Sequence, residues 1–249
     1  MRAAARALAG TPAPGRALPR LLAALARLTR QKRDTSRDPR VAILETVAWL
    51  GDASLAPAVW PYLADFDPSV AALAARTLTA WTGIAHAPVT TRMAPSPPPD
   101  WRDVSALDGA RARFFMAGGG AFEVALHASE APATVARFVR LAREGHYDGL
   151  TFHRVVPNFV IQGGSPGANE YVGADPYMRD EVGLRPHDRG AVGISTRGRD
   201  TGDAQIFVDL VDNPRLDHAF TVFATVARGL DDVDGIVEGA VIERVEIVR

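Results

Sequence analysis

Across a proline-rich stretch, HAPVTTRMAPSPPPDW at residues 86–101, the hydrophobic periodicity of the chain changes from helical to alternating. No single regular element accommodates both patterns, because a 3.6-residue period and a 2-residue period put apolar side chains on incompatible surfaces. Five prolines fall between Ala85 and Asp100, so the stretch reads as a stiff, extended spacer. A proline-rich ligand for another domain is the alternative use of such a segment. The switch makes the chain multidomain. An all-α region spans 1–85, a linker 86–106 and a β-rich region 107–249.

The first region carries leucines at 18, 21, 22, 25 and 28, which predicts a helix over Ala17–Gln31. Two later segments resemble each other, DPRVAILETVAWLGD from Asp38 and DPSVAALAARTLTAWTG from Asp67. In each, Asp-Pro suits an N-cap followed by proline at the first helical position. Val41 and Leu44 match Val70 and Leu73 at a spacing of 29 residues. Between them, ASLAPAVWPYLADF predicts an antiparallel partner helix. The pattern resembles HEAT-type helical repeats, whose stacking buries a shared face. A small helical bundle is the plainer reading.

Composition narrows the chemistry. The formal net charge of −1 provides no field for nucleic acid or acidic membranes. Cysteine is absent, which removes disulfides, thiol catalysis and thiolate-ligated metals. The arginine-broken, serine-poor N-terminus lacks the uninterrupted apolar core of a signal peptide. It reads as a surface helix or as the continuation of a longer chain, and no stretch approaches a membrane span. The cytoplasm is therefore the default expectation, with extracytoplasmic locations left open for a longer chain.

Beyond the spacer, alternation predicts strands at Arg111–Ala117, Ala121–His127, Thr151–Val156, Phe159–Gly163, Ala191–Thr196, Gln205–Leu210, Thr221–Ala227 and Ala240–Val248. Helices are expected at Ala131–Glu144 and near Leu230–Val237. Many short strands without regular intervening helices indicate an antiparallel barrel or sandwich. Gly118–Gly120 reads as a hairpin turn, because a strand and not a helix follows it. His127, His146, His153, His187 and His218 show no metal-ligand spacing and read as surface or structural. Asp231, Asp232 and Asp234 read as helix-start residues and not as a calcium loop. No metal or cofactor is expected.

What remains is TFHRVVPNFVIQGG, residues 151–164, an apolar segment that contains Arg154 and Gln162. Taken alone, both suit the solvated side of a sheet. The stretch FHRVVPNFVIQGG, with GDAQIFV at 202–208 and RLDHAFTVFATV at 215–226, resembles the cyclophilin family of peptidyl-prolyl cis–trans isomerases. The resemblance runs from about Arg111 to Arg249. It implies a closed antiparallel eight-stranded β-barrel with two capping helices, isomerase activity on X-Pro bonds of peptides and folding proteins, and no cofactor. By position, Arg154 is implied to be the catalytic arginine. Phe159, Val160, Phe207 and Leu216 are implied to line a proline pocket. Gln162 is implied to bond the substrate backbone with Gln205 nearby, and Ser195 and Thr196 to contact the residue before proline.

Three positions depart from the family's pattern. Val160 replaces a longer methionine, Phe220 keeps a pocket wall without a polar tip, and Arg215 stands where many eukaryotic members have tryptophan. Weak cyclosporin binding is the expected consequence of the last. Proline-containing peptides or unfolded proteins are the expected partners, with a further protein partner on the helical repeats. The rival readings are a catalytically weak proline-peptide binding module and a scaffold.

Overall fold

The computed structural model describes residues 7–8, 14–89 and 99–248. Residues 90–98, most of the expected spacer, lie outside the described residues. The chain falls into two compact units, Met1–Pro95 and Ser96–Arg249.

In the first unit, helix α1 (Pro14–Arg30) buries Ala17, Leu21, Leu25 and Leu28. These lie one or two turns apart on a single stripe. Helix α2 (Arg37–Leu50) and helix α4 (Pro68–Thr82) follow, with the short helix α3 (Ala56–Val59) between them. The two Asp-Pro segments behave differently. Asp67 caps α4, accepting the backbone N–H of Ser69 at 2.8 Å and of Val70 at 3.3 Å. Asp38 does not cap α2, which already begins at Arg37, so Asp38 falls in the first turn. The expected partner helix is also broken. Two 3-10 turns, Ala53–Leu55 and Trp60–Ala64, flank α3, and Pro57 and Pro61 each stand at the start of a new short element. Proline starts a turn well but cannot donate the bond that would continue the preceding one.

One interaction ties this unit together. Arg40, fully buried on α2, donates from Nη1 to both carboxylate oxygens of Asp65, at 2.6 and 2.7 Å. Its Nε donates to Ser36 Oγ, and its guanidinium stacks on the Phe66 ring at 4.1 Å. Asp65 Oδ1 in turn accepts the N–H of Asp67, the residue that caps α4. A single buried cation thus joins α2 to the start of α4.

In the second unit, helix α5 (Trp101–Ser105) precedes strands β1 (Arg111–Met116) and β2 (Ala121–Leu126). Helix α5 lies within the segment read as linker, and its Val104 joins the unit's core. Gly119 and Gly120, at φ of +89° and +87°, make the β1–β2 turn. Helix α6 (Pro132–Arg143) comes next, then β3 (Arg154–Val156), β4 (Val160–Gly163), β5 (Ala191–Ile194), β6 (Ile206–Asp209) and β7 (Val222–Arg228). The short helix α7 (Leu230–Asp234) and β8 (Ile242–Val248) end the unit. Helix α6 buries Val135, Phe138, Val139 and Ala142, the face its spacing predicts. Phe138 packs on Phe114, Phe223 and Tyr147 with ring centroids 5.1–6.1 Å apart.

All eight strands join one antiparallel sheet in the order β3-β4-β6-β5-β7-β2-β1-β8. The expected closed barrel is not formed, because the sheet is curled but open and its two end strands, β3 and β8, share no ladder. Just before β3, Thr151 meets Val241 in one isolated bridge, and Phe152 exchanges hydrogen bonds with Gly239 and Ala240. There the paired segment is turning through Gly239 at φ +90°, which ends the pairing that closure requires.

Removing one partner of a buried ion pair leaves an uncompensated charge. Arg40→Ala is therefore expected to destabilise the first unit by about 3–5 kcal/mol. Chemical denaturation of the full chain, followed by its helical signal, would show this. A midpoint shared with the parent protein would contradict the structural role given to the pair.

Candidate active site

The ladder from β3 through β4 and β6 to β5 assigns every residue a face. Arg154 pairs with Gln162, Gln162 with Phe207, and Phe207 with Gly193. Directly paired residues point the same way and their neighbours point the other way. Val155, Ile161, Ile206, Val208, Val192 and Ile194 accordingly face the core. Arg154, Val160, Gln162 and Phe207 face outward. The segment lacks the alternating burial of a half-wet strand because the outer face is also covered, and β4, β5 and β6 are buried at every position. Pro157 and Asn158 form the turn between β3 and β4, with Asn158 at φ +58°. The turn preserves the cross-strand pairing, so Arg154 and Gln162 meet as direct partners.

The outer face is organised by hydrogen bonds. Gln162 Nε2 donates to Ser195 Oγ at 2.8 Å and to Gln205 Oε1 at 3.3 Å. Gln205 Nε2 donates in turn to the carbonyl of Val172 at 3.2 Å. Arg154 Nη1 lies 3.4 Å from Gln162 Oε1, its proper acceptor. Its Nε is 3.3 Å from Glu170 Oε1, and the two side chains are 35% and 44% exposed. Such a pair holds the guanidinium orientation at small energetic effect.

The apolar part begins beside this row. Phe159 lies next to Val160, with its ring 5.9 Å from the Arg154 guanidinium and 4.3 Å from that of Arg215. Phe207 stacks on His187 at 5.7 Å, and Phe220 meets both rings edge-on. Phe207 lies against Gly193, where a Cβ would stand 2.3 Å from its ring. Glycine is required there by this close approach. Leu216 ends a single 3-10 turn, Pro214–Leu216, and is half-buried. Thr196 follows β5, half-buried, and takes no part in the hydrogen-bonded row among the described residues.

Beneath the aromatic wall sits a polar brace that spacing did not predict. His187 Nδ1 is 2.9 Å from Asp209 Oδ2, both side chains fully buried. Asn213 Nδ2 donates to Asp209 Oδ1 at 2.7 Å and to the carbonyl of Phe159 at 3.1 Å. Burial pushes the Asp209 carboxyl above its ordinary range, and the hydrogen bonds from His187 and Asn213 oppose this. The brace fixes both Phe159 and the ring behind Phe207. Glu170 likewise carried no sequence signal, because the loop that brings it to Arg154 has no periodicity.

The second unit is similar to known proteins. Residues 113–249 match the model of the family described as cyclophilin type peptidyl-prolyl cis-trans isomerase/CLD. Peptidyl-prolyl cis-trans isomerase B of Bacillus subtilis is 39% identical over 136 residues, spanning 54% of this chain and 95% of that protein. A peptidyl-prolyl cis-trans isomerase of Helicobacter pylori (strain 26695) is 43% identical over 130 residues, spanning 51% and 80%. The crystal structure of a Cryptosporidium parvum cyclophilin-type isomerase shares the fold, with a TM-score of 0.53 at 22% identity over 56% of this chain and 97% of that one.

Gly193→Ala forces the new methyl into the Phe207 ring. We expect a loss of about 1–3 kcal/mol, the usual range for overpacking, together with displaced Phe207 and His187 ring resonances by NMR. Unchanged ring resonances would show that the close packing is not what holds Phe207.

Proposed function

We propose, from the premise that this chain belongs to the cyclophilin-type peptidyl-prolyl cis–trans isomerase family, how its own residues divide the work. The reaction is rotation about an X-Pro bond in proline-containing peptides. Planar amide resonance sets a barrier of roughly 18–20 kcal/mol. No bond breaks, so catalysis requires only that the twisted amide be held better than the planar one.

Arg154, Phe159 and Gln162 form the catalytic set. Twisting removes resonance and localises a lone pair on the prolyl nitrogen. A guanidinium aimed there gains strength as the planar state is lost. Arginine suits the task because it stays charged and presents fixed donors. Gln162, already oriented by Ser195 and Gln205, bonds the peptide backbone. Phe159 supplies an apolar wall beside Arg154.

Val160, Phe207, Leu216 and Phe220 receive the proline ring. Twisting disperses the amide's charge separation, so these apolar surfaces favour the transition state over the ground state. Ser195 and Thr196 receive the residue before proline, with Gln205 behind them. The observation that carries this reading is the direct cross-strand pair of Arg154 and Gln162 on the covered outer face.

The helical unit is a HEAT-like module that holds a protein partner, tethered to the isomerase unit through the proline-rich stretch. The likeness of the segments from Asp38 and Asp67 in sequence, and the buried Arg40–Asp65 link between their helices, support this reading, although only the second segment uses its Asp as a cap.

Protease-coupled kinetics on an X-Pro peptide test the site. Arg154→Ala is expected to lower kcat/KM by about 100-fold, a loss of about 2.7 kcal/mol of transition-state stabilisation. Equal rates for parent and variant would remove Arg154 from the mechanism. Deleting residues 1–98 keeps Asp100, whose carboxylate accepts the Arg102 N–H at the start of α5. That deletion is expected to leave small-peptide turnover intact, and a lost rate with the sheet unit still folded would contradict the tethered arrangement.

A further inference from the structure

The two guanidiniums that flank Phe159 differ in their surroundings. Arg154 is matched by Glu170. Arg215 is exposed, stacked on the Phe159 ring, and no carboxylate pairs with it among the described residues. The nearest acids in sequence are engaged elsewhere. Asp217 Oδ1 accepts the His187 N–H and Asp212 Oδ1 the Arg189 N–H, each at 2.8 Å. The rim of the pocket therefore carries a cation held against an aromatic face, with no carboxylate in ion-pair contact among the described residues.

The ladder register says which end of a bound peptide that charge meets. Ser195 N donates to the Gln205 carbonyl at one end of the outer face, two residues along from the Gly193–Phe207 pair. In the other direction lie the Val160–Asp209 pair and Phe159, whose carbonyl accepts from Leu210 N and Asn213 Nδ2. Arg215 covers Phe159 at this second end. Glu170 stands at the first, where its carbonyl lies 3.5 Å from Gln205 Nε2. A peptide whose pre-proline residue sits at Ser195 and Thr196 must run past Phe159 after its proline, and so toward Arg215.

We propose that Arg215 is a specificity-determining residue that selects peptides with an acidic side chain directly after the proline. This rests on the site assignment made above for the proline pocket. The guanidinium offers several donors in a planar fork, which suits a carboxylate. Stacking on Phe159 reduces the side-chain freedom that an exposed ion pair otherwise loses. The rim is open to solvent, so the discrimination is modest and sensitive to salt.

Magnetisation-exchange NMR on three peptides that differ only after the proline, Glu, Ala or Lys, tests the proposal with the full chain. The parent protein is expected to isomerise the Glu peptide about two- to fivefold faster, in kcat/KM, than the Lys peptide. The ratio should fall toward unity in Arg215→Gln, invert in Arg215→Glu, and shrink with added salt. Because the readout is a ratio, it survives any general loss of activity in the variants. A parent ratio near unity, or the same ratio in parent and Arg215→Gln, would overturn the proposal. Failure of the underlying site is distinguishable, because then Arg154→Ala would turn over all three peptides as fast as the parent.

Discussion

The pairing of β3 with β4 and of β4 with β6 is the constraint on which the site depends. Strand side chains alternate with a period of two, so one register decides the position of each residue. In this register Ile161 and Val208 enter the core while Gln162 and Phe207 lie together outside it. A slip by one residue would send Gln162 into the apolar interior and leave Ile161 on the site. The register is held from both sides. The core anchors one face, and the Gln162–Ser195–Gln205 row and the Phe207–His187 stack anchor the other. The slight burial difference between the two faces follows from this double anchoring.

A catalyst of bond rotation needs a wall, a cation and an oriented amide in fixed relation more than it needs reactive groups. In the proposed site Arg154, Gln162 and Phe207 each stand on a short strand, and Phe159 stands in the turn between two of them. Gly193 contributes by what it lacks, since the ring of Phe207 occupies the space of its missing side chain. The His187–Asp209–Asn213 brace contributes from beneath, binding the Phe159 carbonyl to the floor of the β6 turn. Groups held this way lose little freedom when the peptide arrives, which favours interactions made in the twisted state.

The strands, the long helix of the second unit and the outward cluster of Arg154, Gln162 and Phe207 were legible in the sequence. The strands and the helix rest on local period, and the cluster on the family resemblance of two motifs, each contiguous in the chain. Closure of the sheet was not legible, because it depends on how the turn through Gly239 meets Thr151, a contact between residues far apart in sequence. The identity of Asp38 and Asp67 as paired caps misled for a related reason. Similar segments need not start their helices at the same residue, and α2 begins at Arg37, two residues before the start that an Asp38 cap would give. Glu170 and the His187 brace are tertiary, formed by loops whose composition carries no periodic signal. Nothing in the local sequence distinguishes Arg40 from the other arginines of the helical region. Its burial depends on Asp65, which arrives after an intervening broken helix.

In the proposed mechanism Arg154 acts on the twisted amide and not merely on peptide affinity. NMR on an X-Pro peptide separates the two, since titration shifts report binding and magnetisation exchange reports rotation in the same sample. For Arg154→Ala, peptide binding is expected to stay close to that of the parent while enzyme-catalysed cis–trans exchange slows about 100-fold. Parent-like exchange in that variant, or exchange lost only in proportion to lost binding, would contradict it.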